Sequence, residues 1–181
     1  MQTTLNVKTK ILDPSIPTPA LQYAKDGDAG IGLTATSRSL DDYGNIVYGT
    51  NRGFEIPDGY VGLVFPRSSN SKFDLTLTNC VGVIDSGYRG EVLFKYKPTP
   101  SAEKAILMIL ETLKDHGIIN EENLPGTENF NSHEETISVI YELGDRIGQL
   151  ISLPYPKVQF EEVSELSETE RGTGGYGSTG N

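Results

Sequence analysis

The sequence predicts an all-β subunit carrying one small helical insertion. Short runs rich in β-branched and aromatic residues recur along residues 5–96, and Asp-Gly, Tyr-Gly-Asn and Pro-Asp-Gly turns punctuate them. The only strong helical periodicity is confined to about residues 98–134. At 181 residues the chain fits one domain with an insertion, long enough to bury a proper core.

The expected strands are Leu5–Ile11, Ile46–Tyr48, Tyr60–Phe65, Leu75–Val81 and Glu91–Tyr96. Pro98 and Pro100 then open a different kind of sequence. Ser101 is a candidate N-cap and Gly117 a candidate stop, with Ala102, Ala105, Ile106, Ile109, Leu110 and Leu113 on one stripe that docks on the β body. Leu107 and Met108 fall outside the stripe, so the insertion either offers a surface to a protein partner or simply packs on its own subunit or helps an assembly of copies. Strands resume at Arg146–Leu153 and Lys157–Val163, separated by Pro154-Tyr155-Pro156. The acidic stretch Glu161–Glu170 is a linker. The organisation expected is therefore a β domain over residues 1–170 and a flexible glycine-rich segment over 171–181.

A formal net charge of −10, from 25 acidic and 15 basic residues, argues against binding a nucleic-acid backbone, which needs a basic stripe. No apolar run approaches a membrane span, and the opening residues lack the layout of a signal peptide. A cytoplasmic location is expected. One cysteine, Cys80, allows no internal disulfide, and with only His116 and His133 beside it there is no zinc cluster to build. Cys80 is expected as a small core residue.

The residues that carry chemistry stand in short segments. Arg171–Asn181 reads RGTGGYGSTGN. Its glycines permit close backbone approach, Arg171 offers a planar donor fork to phosphate, and Tyr176 offers a ring face to a planar base. With the hydroxyls of Ser178 and Thr179 the segment is either a clamp for a nucleoside polyphosphate or an ordinary glycine-rich tail. Pro66-Arg67-Ser68-Ser69-Asn70-Ser71-Lys72 follows a strand, where an arginine, hydroxyls and free amides make a phosphate cradle or a capped turn. In Asn79–Gly90 an apolar run ends on Asp85, placed either to orient and deprotonate a water or simply to form the Asp-Ser-Gly turn. Tyr88 can pack on a sugar, and Asn79 with the hairpin amides can read the edge of a base. Gln149, in Gly144–Leu150, is either a satisfied strand residue or a phosphate donor.

Taken in order, DAGIGLTA (Asp28–Ala35), PRSSNSK (Pro66–Lys72), NCVGVIDSGYRG (Asn79–Gly90), GDRIGQLI (Gly144–Ile151) and RGTGGYGSTG (Arg171–Gly180) resemble the motifs of the trimeric dUTP diphosphatases (dUTPases). The resemblance covers nearly the whole chain except Pro98–Glu134, and it suggests a phage-like or bacterial member with an insertion between the third and fourth motifs. It implies a distorted jelly-roll subunit and a homotrimer with shared active sites, each closed by the tail of another chain. It also implies hydrolysis of dUTP to dUMP and pyrophosphate with Mg2+, which limits uracil in DNA and supplies dUMP for dTMP synthesis. If the chain is phage-encoded, the host cytoplasm is where it would act.

Carried over residue by residue, Asp85 resembles the general base that activates water against the α-phosphorus. Tyr88 resembles the residue that stacks on deoxyribose and excludes a 2′-hydroxyl. Asn79, with Gly82, Val83 and Ile84, matches the uracil-reading segment. Arg67, Ser68, Ser69 and Gln149 match phosphate contacts, as do Arg171, Gly177, Ser178 and Thr179 of the tail. Tyr176 stands where a stacking phenylalanine is usual. One departure is marked: the family's Ala-Gly-X-Asp-Leu is Ala29-Gly30-Ile31-Gly32-Leu33 here, so the aspartate that supports the metal's water shell is Gly32. Asp28 is the candidate metal contact that remains, yet it lies about 13 Å away along an extended strand and does not simply replace that aspartate. Gly148, where alanine is common, is a smaller change.

Two other readings use the same scaffold. One is a regulatory binding protein in which nucleotide occupancy controls a protein partner. The other, a dCTP deaminase, shares the fold but calls for a different catalytic glutamate setting, which is not found in this sequence.

Overall fold

A computed structural model describes residues 4–99, 109–110, 112–114, 116–117 and 139–174. Ten strands are defined: β1 (Lys8–Ile11), β2 (Ile31–Thr34), β3 (Ser37–Leu40), β4 (Ile46–Gly49), β5 (Arg52–Glu55), β6 (Tyr60–Phe65), β7 (Leu75–Leu77), β8 (Gly82–Ile84), β9 (Leu93–Pro98) and β10 (Arg146–Pro154). They form two four-stranded sheets, in the orders β2-β10-β6-β8 and β3-β4-β9-β7, and a separate β1-β5 pair, with antiparallel pairing throughout. The all-β reading holds, and the sheet orders mix strands distant in sequence, as a jelly roll does.

The core lies between the sheets and follows from period-two alternation. In β9, Phe94 and Tyr96 point inward while Leu93, Lys95 and Lys97 point out; in β4, Ile46 and Tyr48 are buried. Tyr48, Tyr96 and Tyr141 meet edge to face or tilted, with ring centroids 5.5–6.0 Å apart. Contacts of this kind contribute roughly 0.5–1.5 kcal/mol each beyond area burial. Their phenols are not orphaned: Tyr96 Oη donates to the Ile147 carbonyl at 2.6 Å, which ties one sheet to the other, and Tyr48 Oη donates to the Tyr141 carbonyl at 3.0 Å. Burial pushes all three phenols above their ordinary pKa, so they stay neutral donors.

The structure differs from the sequence reading at several points. Strands β2, β3 and β5 were not anticipated, because each is only four residues long and their Gly, Ser and Arg content hides the apolar signal. The β7 strand stops at Leu77, since Cys80 at φ 58 turns the chain; Cys80 is exposed at that turn and is no core residue. Lys157–Val163 has no strand assignment, and among the described residues nothing pairs with it after the Pro154-Tyr155-Pro156 break. Most of the helical insertion lies outside the described residues, including Ser101, Leu107 and Met108. Of the stripe, Ile109 and Leu110 are helical, as is Leu113, and Gly117 takes φ 67 as a helix stop would; Ile109 is exposed rather than docked.

Candidate functional site

Strand β10 runs between β2 and β6, and its register sets the site. Gln149 is opposite Gly32 on one side and Phe65 on the other. Side chains alternate along β10, so Gly148 and Leu150 face the core while Gln149 and Ile151 face out. Simple alternation would send Arg146 to the core with Gly148. A bulge between Arg146 and Gly148 breaks the count: Ile147 and Gly148 are both buried, and Arg146 emerges on the outer face beside Gln149.

That outer face opens into a cavity of about 250 Å³ lined by Ala24, Asp28, Ala29, Gly30, Gly32, Arg67, Arg146, Gln149 and Ile151. Two glycines make the room. A Cβ at Gly30 would overlap the Gln149 Oε1, and a Cβ at Gly32 would sit 3.2 Å from Arg146 Cδ and 3.7 Å from its Nε. Gln149 is held in place by its Nε2, which donates to the Pro66 carbonyl at 3.2 Å, so its amide bridges β10 to the loop that carries Arg67.

The Arg67 loop is a 3-10 turn over Ser68–Lys72. Asn70 locks it, donating from Nδ2 to the Leu75 carbonyl at 2.9 Å and accepting from Tyr141 Oη at 3.0 Å. Arg67 is half-buried, close enough to Tyr141 for its charge to oppose the rise in that phenol's pKa. Asp28 is exposed and turned to its own loop, where its Oδ2 accepts from the Lys25 amide at 3.0 Å. Two guanidinium groups against one carboxylate make this an anion-binding cavity.

A second constellation stands apart from the cavity. The hairpin after β7 presents Asn79, Val83, Asp85 and Tyr88 to solvent, and none of them lines the cavity just described. Its geometry is tight. A Cβ at Gly82 would overlap Val64 Cγ2, so β8 lies flat on β6; the Tyr88 amide donates to the Asp85 carbonyl at 3.0 Å and closes the turn that displays the Asp85 carboxylate. Tyr88 is pinned at its far end, where Oη donates to the Glu91 carbonyl at 2.9 Å. Its ring rests on Gly90, where a Cβ would come within 2.7 Å of Cζ. The predicted residues thus fall into two groups on one chain: Asp28, Arg67 and Gln149 in the cavity, and Asn79, Gly82, Val83, Ile84, Asp85 and Tyr88 on the hairpin.

Ser68 and Ser69 belong to the 3-10 turn but do not line the cavity. Arg171 lies in a turn of its own, its Nε donating to the Gly174 carbonyl at 3.0 Å. Tyr176, Gly177, Ser178 and Thr179 lie outside the described residues. Sequence reasoning passed over Arg146, whose place in the cavity depends on the bulge; the only signal was two consecutive residues, Ile147-Gly148, able to face a core.

Comparison with known proteins gives a consistent answer. The family model described as dUTPase matches residues 17–102 and 99–180. The deoxyuridine 5'-triphosphate nucleotidohydrolase of Rhodococcus erythropolis is 35% identical over 178 residues, covering 97% of this chain and 87% of that protein. The enzyme of the same name from Corynebacterium diphtheriae is 35% identical over 171 residues, covering 93% and 89%. Among solved structures, the dUTPase of Staphylococcus bacteriophage 80alpha with dUPNHPP is 25% identical. It superposes with a TM-score of 0.67 over 98% of this chain and 100% of that one.

Proposed function

The chain belongs to the dUTPase family, and from that membership we propose that it hydrolyses dUTP to dUMP and pyrophosphate. Within the chain, the reading is carried by the cavity, where the half-buried Arg67 and the bridging amide of Gln149 converge on space that two glycines keep open. A triphosphate needs such convergent donors, and nothing in the reaction needs a covalent nucleophile.

In the proposed reaction the Asp85 carboxylate takes a proton from water as its oxygen bonds the α-phosphorus. The bond from that phosphorus to the bridging oxygen breaks, and the electron pair leaves with pyrophosphate. Arg67 and Gln149 hold the phosphates, with Ser68 and Ser69 offering hydroxyls from the turn beside them. Tyr88, fixed by Glu91 and resting on Gly90, occupies the ground a ribose 2′-hydroxyl would need. Asn79 and the backbone of Gly82–Ile84 read uracil. Arg171 and the tail through Tyr176, Gly177, Ser178 and Thr179 close over the nucleotide.

The family is typically trimeric, and the separation of the two constellations supports a homotrimer with shared sites: the hairpin residues do not line their own subunit's phosphate cavity, which is in keeping with a hairpin supplied by another copy. The arm after β10 adds support: Val158, Phe160, Val163 and Leu166 are exposed, Phe160 at 91% and Leu166 at 87%, an apolar load that a neighbouring subunit can cover. Sedimentation at micromolar concentration tests it. A fully active monomer would contradict shared sites.

The family implies Mg2+, and the dUTPase of phage phi11 is described as coordinating a structural Mg(II) ion. The residues of this cavity do not fit a metal held by protein. Asp28 is its one carboxylate, and among the described residues no group of three potential ligands exists. We therefore assign any Mg2+ to the triphosphate itself. Among the described residues no helix is long and apolar enough to cross a membrane, in keeping with action in the cytoplasm.

Pyrophosphate release measured with dUTP, dCTP, dTTP and UTP tests the function directly. Release from dUTP well above the other three is expected. Equal rates on all, or none, would overturn the assignment.

A further inference from the structure

The turn that follows Arg67 is built through one residue. The Asn70 amide donates to the Arg67 carbonyl at 2.9 Å, and the Asn70 carbonyl accepts from the Phe73 amide at 3.0 Å. Its side chain donates to the Leu75 carbonyl, and Oδ1 takes the Tyr141 hydroxyl at 3.0 Å; among the described residues Oδ1 has no other donor. No residue of the turn is buried, so little packing of its own holds it. Tyr141 is the opposite case. It is 1% exposed, and its carbonyl accepts from Tyr48 Oη and from Arg38 Nη1, both at 3.0 Å. Its ring centroid stands 3.9 Å from that of Phe73, the residue that ends the turn. One core side chain therefore meets the turn twice, at its middle by a hydrogen bond and at its end by a ring face. Tyr141 itself lines no part of the cavity.

We propose that Tyr141 is a positioning residue for dUTP hydrolysis: its hydroxyl holds Asn70 and, through Asn70, keeps the Arg67 turn in the geometry that receives the triphosphate. The inference rests on the nucleotide reading above and deepens it. Its physical basis is the contrast between the two partners. A polar turn with no buried residue of its own has several conformations of similar energy, and a bond from a fixed core group selects one of them. Pro66, on one side of Arg67, is already tied by Gln149 Nε2; Tyr141 ties Asn70 on the other, so Arg67 stands between two anchors. Without the hydroxyl, Oδ1 loses its donor in a part-buried place, and the amide gains by turning toward water. Donors that must meet phosphate oxygens in one arrangement lose effect when they drift. The loss falls on the phosphates and spares uracil, because the hairpin proposed to read the base is a separate element.

The test is a double-mutant cycle on the full chain, with wild type, Tyr141→Phe, Asn70→Leu and the pair. Each form is assayed for dUTP hydrolysis and for inhibition by the imido analogue dUpNHpp and by deoxyuridine, which has no phosphate. Tyr141→Phe removes one oxygen and keeps the ring on Phe73. It should lower kcat/KM on dUTP and the affinity for dUpNHpp by about tenfold each, with the affinity for deoxyuridine unchanged. A purely structural role would lower Tm without changing the ratio of the two inhibitors' affinities. Asn70→Leu should lose at least as much, and adding Tyr141→Phe to it should change that ratio no further, since the hydroxyl then has no amide to hold. The ratio in Tyr141→Phe decides by itself if Asn70→Leu fails to fold. An unchanged ratio in Tyr141→Phe, or full additivity of the two changes, would overturn the proposal. A wild type that neither hydrolyses dUTP nor binds dUpNHpp would instead bring down the nucleotide reading itself.

Discussion

Gly148 lies so close to the ring of Phe94 that a Cβ there would overlap Cε1 and Cζ and come within 2.9 Å of Cδ1. The two residues sit on facing sheets, Gly148 in β10 and Phe94 in β9, and both are buried. Glycine at 148 leaves that space to the aromatic ring.

Gly148→Ala should therefore destabilise the fold by overpacking, by about 1–3 kcal/mol, and lower Tm by roughly 2–12 °C. The partner change is the control. Phe94→Leu alone should also destabilise, but the double variant should be more stable than the sum of the two predicts. Thermal melts of the four forms decide it; strict additivity would mean that the two residues do not share the space.

Asp85→Asn should abolish turnover while leaving nucleotide binding nearly intact, because the amide keeps the shape but cannot accept the proton. Loss of a general base lowers the rate on the order of 10²–10⁴-fold. The Asp85 backbone carbonyl, not its side chain, closes the turn onto Tyr88, so the hairpin has no reason to unfold. Single-turnover kinetics with the dUMP yield measured would show it, and a rate within a few-fold of wild type would remove Asp85 from the chemistry.

Much of this was legible in the chain. The unbroken β-prone run Tyr60–Phe65, closed off by turn residues, located β6 to the residue, and Arg146–Leu153 located β10 to within one. Those runs are long enough to stand out between turns. Short strands such as β2 and β5 take their identity from neighbours: Ile31–Thr34 is a strand because β10 runs beside it, and no local pattern announces that. The site shows the same division. Arg67, Gln149 and Asp85 stand out as polar groups at the ends of apolar runs, whereas Arg146 reaches the cavity only through a bulge, a property of pairing. The expected strand at Lys157–Val163 is the converse case: alternating apolar residues make a strand only beside a partner, and among the described residues it has none.

The β3–β4 turn makes an acid-dependent prediction. Asp41 accepts from the Asn45 side chain and amide, from the Tyr43 amide and from Lys95 Nζ, and these bonds hold its carboxyl down from 3.8 to about 2. A depressed carboxylate stabilises the fold above its unfolded pKa and loses that contribution as pH falls through the folded value. Asp41→Ala should thus lower Tm at neutral pH, and the gap to wild type should close between pH 3.8 and about 2. A gap that persists unchanged to the acid limit would show that the carboxylate's charge is not what holds the turn.

Removal of the segment after Glu170 should leave the assembly intact and the activity small. The apolar arm that can bury against a neighbour ends at Leu166, so the deletion takes none of it. Closure of a clamp over bound nucleotide contributes through positioning, and its loss should lower kcat/KM by on the order of 10²-fold. Sedimentation and kinetics on one preparation test both halves, and undiminished activity would count against any clamp.

The insertion can be cut away because its two ends meet on one residue. Asp74 accepts from the Thr99 amide at 2.8 Å through its carbonyl, donates its own amide to the Val139 carbonyl at 2.9 Å, and accepts the Val139 amide on Oδ2 at 3.0 Å. The chain therefore leaves β9 and returns toward Tyr141 at almost the same place, held there by backbone and side chain of a residue in the β body. None of the cavity or hairpin residues falls between. Replacing residues 100–138 by a short glycine-containing turn should preserve the fold, the assembly and dUTP hydrolysis, since shortening a loop whose ends are already fixed lowers its closure entropy rather than raising it. Asp74→Ala in the shortened form should lower Tm, because the carboxylate then ties the end of the new turn through the Val139 amide. Pyrophosphate release and sedimentation on the shortened chain are the measurements. A folded, assembled protein without hydrolysis would make the insertion part of the enzyme.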